Sequence, residues 1–191
     1  MTNPIKLIVG LGNPGDEHVR DRHNAGFWFV DMLAARHAGN FSTENRFFGD
    51  ACRITLEGRD VRLLKPHTYM NKSAQATQAM AGFYKIPVKN ILVVHDELDL
   101  PPGTVRLKRA GGHGGHNGLR DIMQQMGKEF YRLRIGIGHP GDRNQVTGYV
   151  LKAPPSSEKD LIENSIRDAM ECVSLIVSGE HEKAMHQLHS D

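Results

Sequence analysis

Two short and almost uninterrupted apolar runs, residues 6–10 (KLIVG) and 91–94 (ILVV), constrain this 191-residue chain more than any other feature. Neither alternates in the manner of a strand with one wet face, and each suits a strand buried on both faces of a largely parallel sheet. Between them the pattern predicts a helix over 25–36, strands near 48–56 and 61–65, and a helix over 72–84. Residues 104–109 and 130–138 alternate instead: Val105 and Leu107 oppose Arg106 and Lys108, while Tyr131, Leu133, Ile135 and Ile137 oppose Arg132 and Arg134. These read as one-sided strands whose polar faces put Lys108 and Arg134 within reach of water or a ligand. After the PPSS punctuation at 154–157, Ser156 or Ser157 is expected to cap one long helix carrying Ile162, Ile166, Ala169, Met170, Val173 and Val177. The expected fold is a single α/β domain over residues 1–191: a twisted, mixed, mostly parallel sheet flanked by helices, with the C-terminal helix packed on it.

Composition is ordinary for a globular protein, which removes disordered and collagen-like classes. The first apolar run is too short for a signal peptide and no later one approaches a membrane span, so a cytoplasmic location is expected. Cys52, expected to share a strand face with Phe48, Ile54 and Leu56, and Cys172, in the C-terminal helix, both read as small core residues. The formal net charge is only +2, but it is unevenly spread. Over 103–134, Arg106, Lys108, Arg109, Arg120, Lys128, Arg132 and Arg134 face only Asp121 and Glu129, whereas the segment from Pro154 onward is acidic. One part of the surface is fit to meet phosphates and another is not.

The stretch GGHGGHNG at 111–118 places two imidazoles and a carboxamide on a nearly side-chain-free backbone. It precedes an amphipathic helix marked by Leu119, Ile122, Met123 and Met126, with Gly127 to end it and Asn117 to cap its first turn. Backbone N–H groups at that helix end suit an anion or a polarised carbonyl oxygen. In open α/β sheets, ligands gather beyond the carboxyl ends of the strands. The first run ends in GLGNPG, with Asn13, and the second in His95-Asp96-Glu97; RHNAG at 22–26 and HTYMN at 67–71 open the two helices. The rim thus collects imidazole, carboxylate and carboxamide groups, a set that can orient a water under a general base.

Other chemistries fit less well. GLGNPG matches the dinucleotide fingerprint GxGxxG, but residues 16–22 are polar and aperiodic, the helix pattern starts only near Ala25, and Pro14 removes a backbone donor. Asp31, at the spacing of a ribose ligand, falls within a helical stretch. The HGGH spacing at 113–116 has no HExxH helix or cysteine cluster to complete a metal shell; a metal on His95, Asp96 and a loop histidine is the remaining form of that reading. No GxSxG elbow occurs, and Ser73 reads as a first-turn helix residue.

The segments IVGLGNPG, RHNAGF, KPHTYMN, HDELDLPPG, GGHGGHNGL and RLRIGIGHPGD, in this order and spacing, resemble the bacterial peptidyl-tRNA hydrolase family across essentially the whole chain. The resemblance implies a monomeric α/β enzyme, needing no metal or other cofactor, that hydrolyses the ester between a nascent peptide and the 3′-terminal ribose of tRNA. It implies His23 as catalytic base, Asp96 as the carboxylate that orients it, and Asn13, Asn71 and Asn117 as carboxamides holding substrate and water, with Met70 and His116 lining the same cleft. Lys108, Arg134 and Arg143 match the positions that grip the acceptor stem and its 5′-phosphate, Arg143 standing where lysine is often found. His37, His181, His186 and His189 read as surface residues, and His67, His113 and His139 as structural or cleft-lining.

Two alternatives use the same features. A non-catalytic RNA-binding relative of the splicing-factor kind would share the fold, but the chain retains His23, Asp96 and the three asparagines. A nuclease or phosphatase would need a metal carboxylate cluster, for which the rim offers Asp96 with Glu97 and Asp99 nearby.

Overall fold

The computed structural model describes residues 2–189. Seven strands form one sheet: Leu7–Gly10 (β1), Ser42–Glu44 (β2), Gly49–Leu56 (β3), Arg59–Pro66 (β4), Ile91–Glu97 (β5), Val105–Arg109 (β6) and Tyr131–Gly136 (β7). Their order is β2-β3-β4-β1-β5-β7-β6. The four central strands β4, β1, β5 and β7 are parallel, while β3 with β2 and β6 extend the two edges antiparallel. Helices Ala25–Arg36 (α1), Ser73–Phe83 (α2), Asn117–Met126 (α3), Val146–Val150 (α4), Ser156–Met170 (α5), Val173–Ser178 (α6) and His181–His189 (α7) complete the fold.

The apolar runs are explained by burial on both sides. Ile8 of β1 packs in a cluster with α1 and the C-terminal helices, whereas its neighbours Leu7 and Val9 pack under α2 and α3. From β1 the chain runs to the sheet edge at β2, builds inward through β3 to β4 beside β1, then crosses to β5 on the other side of β1. That reversal opens a crevice at the carboxyl ends of the strands. Gly10 pairs with Val94, so the segments carrying Asn13 and Asp96 emerge side by side. Gly26 is required there, because a Cβ would run into the Val94 and Leu11 backbone.

Several elements depart from the sequence pattern. Phe48 lies outside β3, exposed and with φ of 53°, so Cys52 shares its face with Ile54 and Leu56 alone. Both cysteines are buried, and burial pushes their thiols up. Arg132 does not sit on a wet strand face: it is 1% exposed beneath residues 111–112. The expected long helix is two helices, α5 and α6, followed by α7, and Pro155 rather than a serine side chain stands at the start of α5. The chain turns at buried Cys172, which keeps Val173, Ile176 and Val177 on the sheet; Gly179, at φ 92° against Thr2 and Asn3, ends α6. His181 is not a surface residue: it is buried, stacks on Tyr131 at 3.8 Å and bonds the Asn3 carbonyl.

Candidate active site

Three histidines and one carboxylate meet at the crevice. His23, on a tight helical turn (Arg22–Asn24) leading into α1, donates from Nδ1 to Oδ2 of Asp96 at 2.8 Å. His116 contacts the other carboxylate oxygen through Nε2, also at 2.8 Å. Its Nδ1 accepts from the backbone N–H groups of Gly118 and Leu119, so its proton sits on Nε2. The helix end expected to hold an anion therefore holds a histidine tautomer, and His116 rather than Asn117 is the N-cap of α3. Gly118 is needed for this approach, since a Cβ would strike Met70 and Leu11.

Asp96 is 3% exposed and accepts from both rings. Burial alone would raise its pKa, but His23 and His116 hold the carboxyl well below the usual range. Burial opposes charge on His23 too, yet the attraction of Asp96, assisted by their hydrogen bond and by Asp21, leaves its pKa above 6.5. Behind them His95 donates from Nδ1 to the Asp96 carbonyl and packs edge-on against His116, with its Nε2 buried and unpartnered. Burial, then His116, lowers its pKa to about 4.

The carboxamide of Asn13 is equally constrained. Its Oδ1 accepts from the Met70 N–H at 2.7 Å, which leaves its NH₂ as a donor toward the site. Asn24 grips the backbone of the same residue twice, accepting from its N–H at 2.8 Å and donating to its C=O at 3.0 Å.

A cavity of about 270 Å³ opens over this group, bordered by Asn13, His23, Met70, Asn71, Asp96, His116 and Asn117, with Tyr69, Leu98, Val146, Val150 and Leu151 supplying apolar walls. Arg22 ties one wall to the turn that carries His23: its guanidinium lies 3.8 Å from the Tyr149 ring and bonds the Tyr149 carbonyl. Across the cavity, Arg132 holds the carbonyls of Gly111 and Gly112 and so anchors the glycine loop.

Comparison with known proteins decides the family. The sequence model described as peptidyl-tRNA hydrolase matches residues 7–191. The chain belongs to the peptidyl-tRNA hydrolase family. It is 55% identical over 188 residues to the peptidyl-tRNA hydrolase of Yersinia enterocolitica, covering 97% of this chain and 95% of that protein. The Proteus mirabilis peptidyl-tRNA hydrolase is also 55% identical over 188 residues, 97% of each chain. The crystal structure of peptidyl-tRNA hydrolase from Acinetobacter baumannii superposes with a TM-score of 0.97 at 50% identity, covering 100% of this chain and 97% of that one.

Within this peptidyl-tRNA hydrolase fold, the residues expected at the cleft, Asn13, His23, Met70, Asn71, Asp96, His116 and Asn117, all border one cavity. The basic residues lie outside it. Lys108 and Arg143 are exposed and form no ion pair among the described residues, while Arg134 is held by Glu97 at 2.9 Å. His67 bonds Asp50, and the rings of His113 and His139 accept from the N–H groups of Gly115 and Gly141, which gives all three structural partners. His189, although exposed, accepts from the Leu107 N–H on the edge strand β6. For a metal, His23, Asp96 and His116 rather than His95 are the clustered donors, but the contacts among them are already taken up by ring protons. Sequence reasoning missed Asn24, Arg22 and Arg132 as supports of the site. For Asn24 and Arg22 the signal was their place on either side of His23; for Arg132, whose contacts lie across the fold, there was none.

Proposed function

We propose that this peptidyl-tRNA hydrolase cleaves its ester with a water activated by His23. The observation that supports this most is the assignment of ring nitrogens. His116 has both nitrogens engaged, His95 has its free nitrogen sealed in the core, and His23 alone presents a lone pair, on Nε2, to the cavity. Nε2 takes a proton as the water attacks the ester carbonyl carbon, and Asp96 stabilises the imidazolium. The Asn13 NH₂ and the carboxamides of Asn71 and Asn117 are placed to hold the water and the developing oxyanion. Collapse of the tetrahedral intermediate breaks the bond to the ribose 3′-oxygen, which receives the proton from Nε2. Free tRNA and peptide leave.

Lys108, Arg134 and Arg143 would meet the acceptor-stem phosphates on the flank beyond the cavity. Action as a monomer belongs to the same proposal. No helix among the described residues is long and apolar enough to cross a membrane. The proposed substrate, tRNA carrying a nascent peptide, is met in the cytoplasm, and a cytoplasmic location belongs to the same proposal.

The test is peptidyl-tRNA incubated with the protein and with its His23→Ala variant, with and without chelator. The wild type should release intact tRNA and free peptide in both conditions. The variant should lose about 10²–10⁴-fold in rate with tRNA affinity retained. Binding lost in step with rate would make His23 a substrate anchor, and chelator sensitivity would replace the imidazole mechanism with a metal-bound hydroxide.

A further inference from the structure

Asn13 borders a second cavity, of about 480 Å³, whose lining does not include His23. Its walls are Val19, Phe27 and Trp28, and its rim carries Asp16, Asp31 and Asp50 against Lys65 and His67. The Trp28 indole is fixed by its N–H bond to the Val19 carbonyl at 2.9 Å, so its ring presents a set face. Lys65 is neutralised by Asp31 at 2.6 Å, and His67 is turned onto Asp50 at 2.7 Å. Apart from Asn13 and its support Asn24, which lie on its border, nothing in the reaction derived above uses this cleft.

The sheet order says which part of the substrate can reach it. The reacting ester sits over the ends of β1 and β5. Arg134 and Lys108 stand toward β7 and β6, on one flank; Lys65, Pro66 and Asp50 stand toward β4 and β3, on the other. The ester has two arms, and the phosphate-bearing one is drawn to the basic flank. The rim of the second cleft, with three carboxylates and one lysine, repels phosphates.

We propose that this second cleft receives the residues of the nascent peptide that precede the esterified one, and that it favours neutral or cationic side chains over acidic ones. The proposal rests on the hydrolase reading of the neighbouring site. Continuity through Asn13 makes the path short, at about 3.3–3.6 Å per extended residue. Apolar side chains would lie on Trp28 and Phe27, and a lysine, arginine or free α-amino group would meet Asp16, while Asp31 and Asp50, already paired with Lys65 and His67, keep those groups from drawing an acidic side chain.

Trp28 is the sole tryptophan of the chain, so the unaltered protein can be read directly. The probes are free peptides: Lys-Leu-Ala, Glu-Leu-Ala and N-acetylalanine. Lys-Leu-Ala should change the Trp28 emission saturably, Glu-Leu-Ala only at higher concentration, and N-acetylalanine not at all. In turnover, Trp28→Ala should raise KM for tripeptidyl-tRNA about three- to tenfold and leave N-acetylalanyl-tRNA unaffected. Asp31→Asn should narrow the preference for Lys over Glu upstream. Emission that ignores all three probes, or a Trp28→Ala penalty equal on both substrates, overturns the subsite. Failure of the wild type to hydrolyse N-acetylalanyl-tRNA would instead overturn the hydrolase reading on which it rests.

Discussion

His116 gives its Nε2–H to Oδ1 of Asp96, and it does so because two backbone N–H groups of α3 have already claimed its other nitrogen. A helix terminus thus dictates the tautomer of a buried ring, the ring occupies one oxygen of the carboxylate, and the other oxygen is left to orient His23.

Asp96→Asn should lower kcat by about 10³–10⁴-fold, because an amide NH₂ facing one of two imidazole donors forces a ring into the wrong tautomer. The residual acid limb of kcat/KM should move to lower pH, since the charge that raises the His23 pKa is gone. Replacing His116 by Phe should move the limb the other way, because a carboxylate with one donor fewer attracts the His23 proton more strongly. A pH–rate profile of each variant reads both signs, and shifts in the same direction would break the assigned chain of hydrogen bonds.

Asn24→Ala leaves the N–H and C=O of Asn13 without their partners in a buried setting. Stability should fall by about 1–3 kcal/mol. The rate constant should fall as the Asn13 carboxamide loses its placement, while KM for peptidyl-tRNA stays near its original value. Urea unfolding and steady-state kinetics on one preparation separate the two effects.

Glu97 competes with phosphate for Arg134. Glu97→Gln should therefore lower KM for peptidyl-tRNA and steepen its salt dependence, whereas Lys108→Ala and Arg134→Ala should raise KM and each flatten the salt slope by about one phosphate contact. A short peptidyl-nucleotide should be indifferent to all three. Equal effects on both substrates would place these residues outside the tRNA grip.

His95 links stability to pH. It titrates near 6.5 when unfolded and at about 4 in the folded protein, so the unfolded state binds the extra proton between those values. Its contribution is fully present above about pH 6.5 and is lost as pH falls toward 4, by up to roughly 3 kcal/mol. His23 works in the opposite sense, its raised pKa adding stability below 6.5 that is lost as pH rises through the folded value. Denaturant unfolding from pH 7.5 to 4.5 should show a steeper acid loss in the wild type than in a His95→Leu variant, compared as slopes rather than absolute stabilities.

Much of the fold was legible because it is written in local periodicity. The doubly buried runs of β1 and β5, the alternation of β6 and the stripe of α3 each follow from side chains a few residues apart, and the crevice follows from where the apolar runs stop. The motifs likewise named the residues that border the cavity. The tertiary structure decided what neighbours along the chain cannot. Arg132 alternates like a wet-face residue, yet the glycine loop folds over it and supplies two carbonyls. His181 looks like a solvent residue, yet the N-terminal segment and Tyr131 close around it. The C-terminal apolar stripe reads as one helix, but it must bend at Cys172 to stay on the sheet. The protonation pattern of the site was the least readable of all, since which nitrogen of His116 or His23 carries the proton depends on partners from α3 and β5 that only folding brings into hydrogen-bonding position.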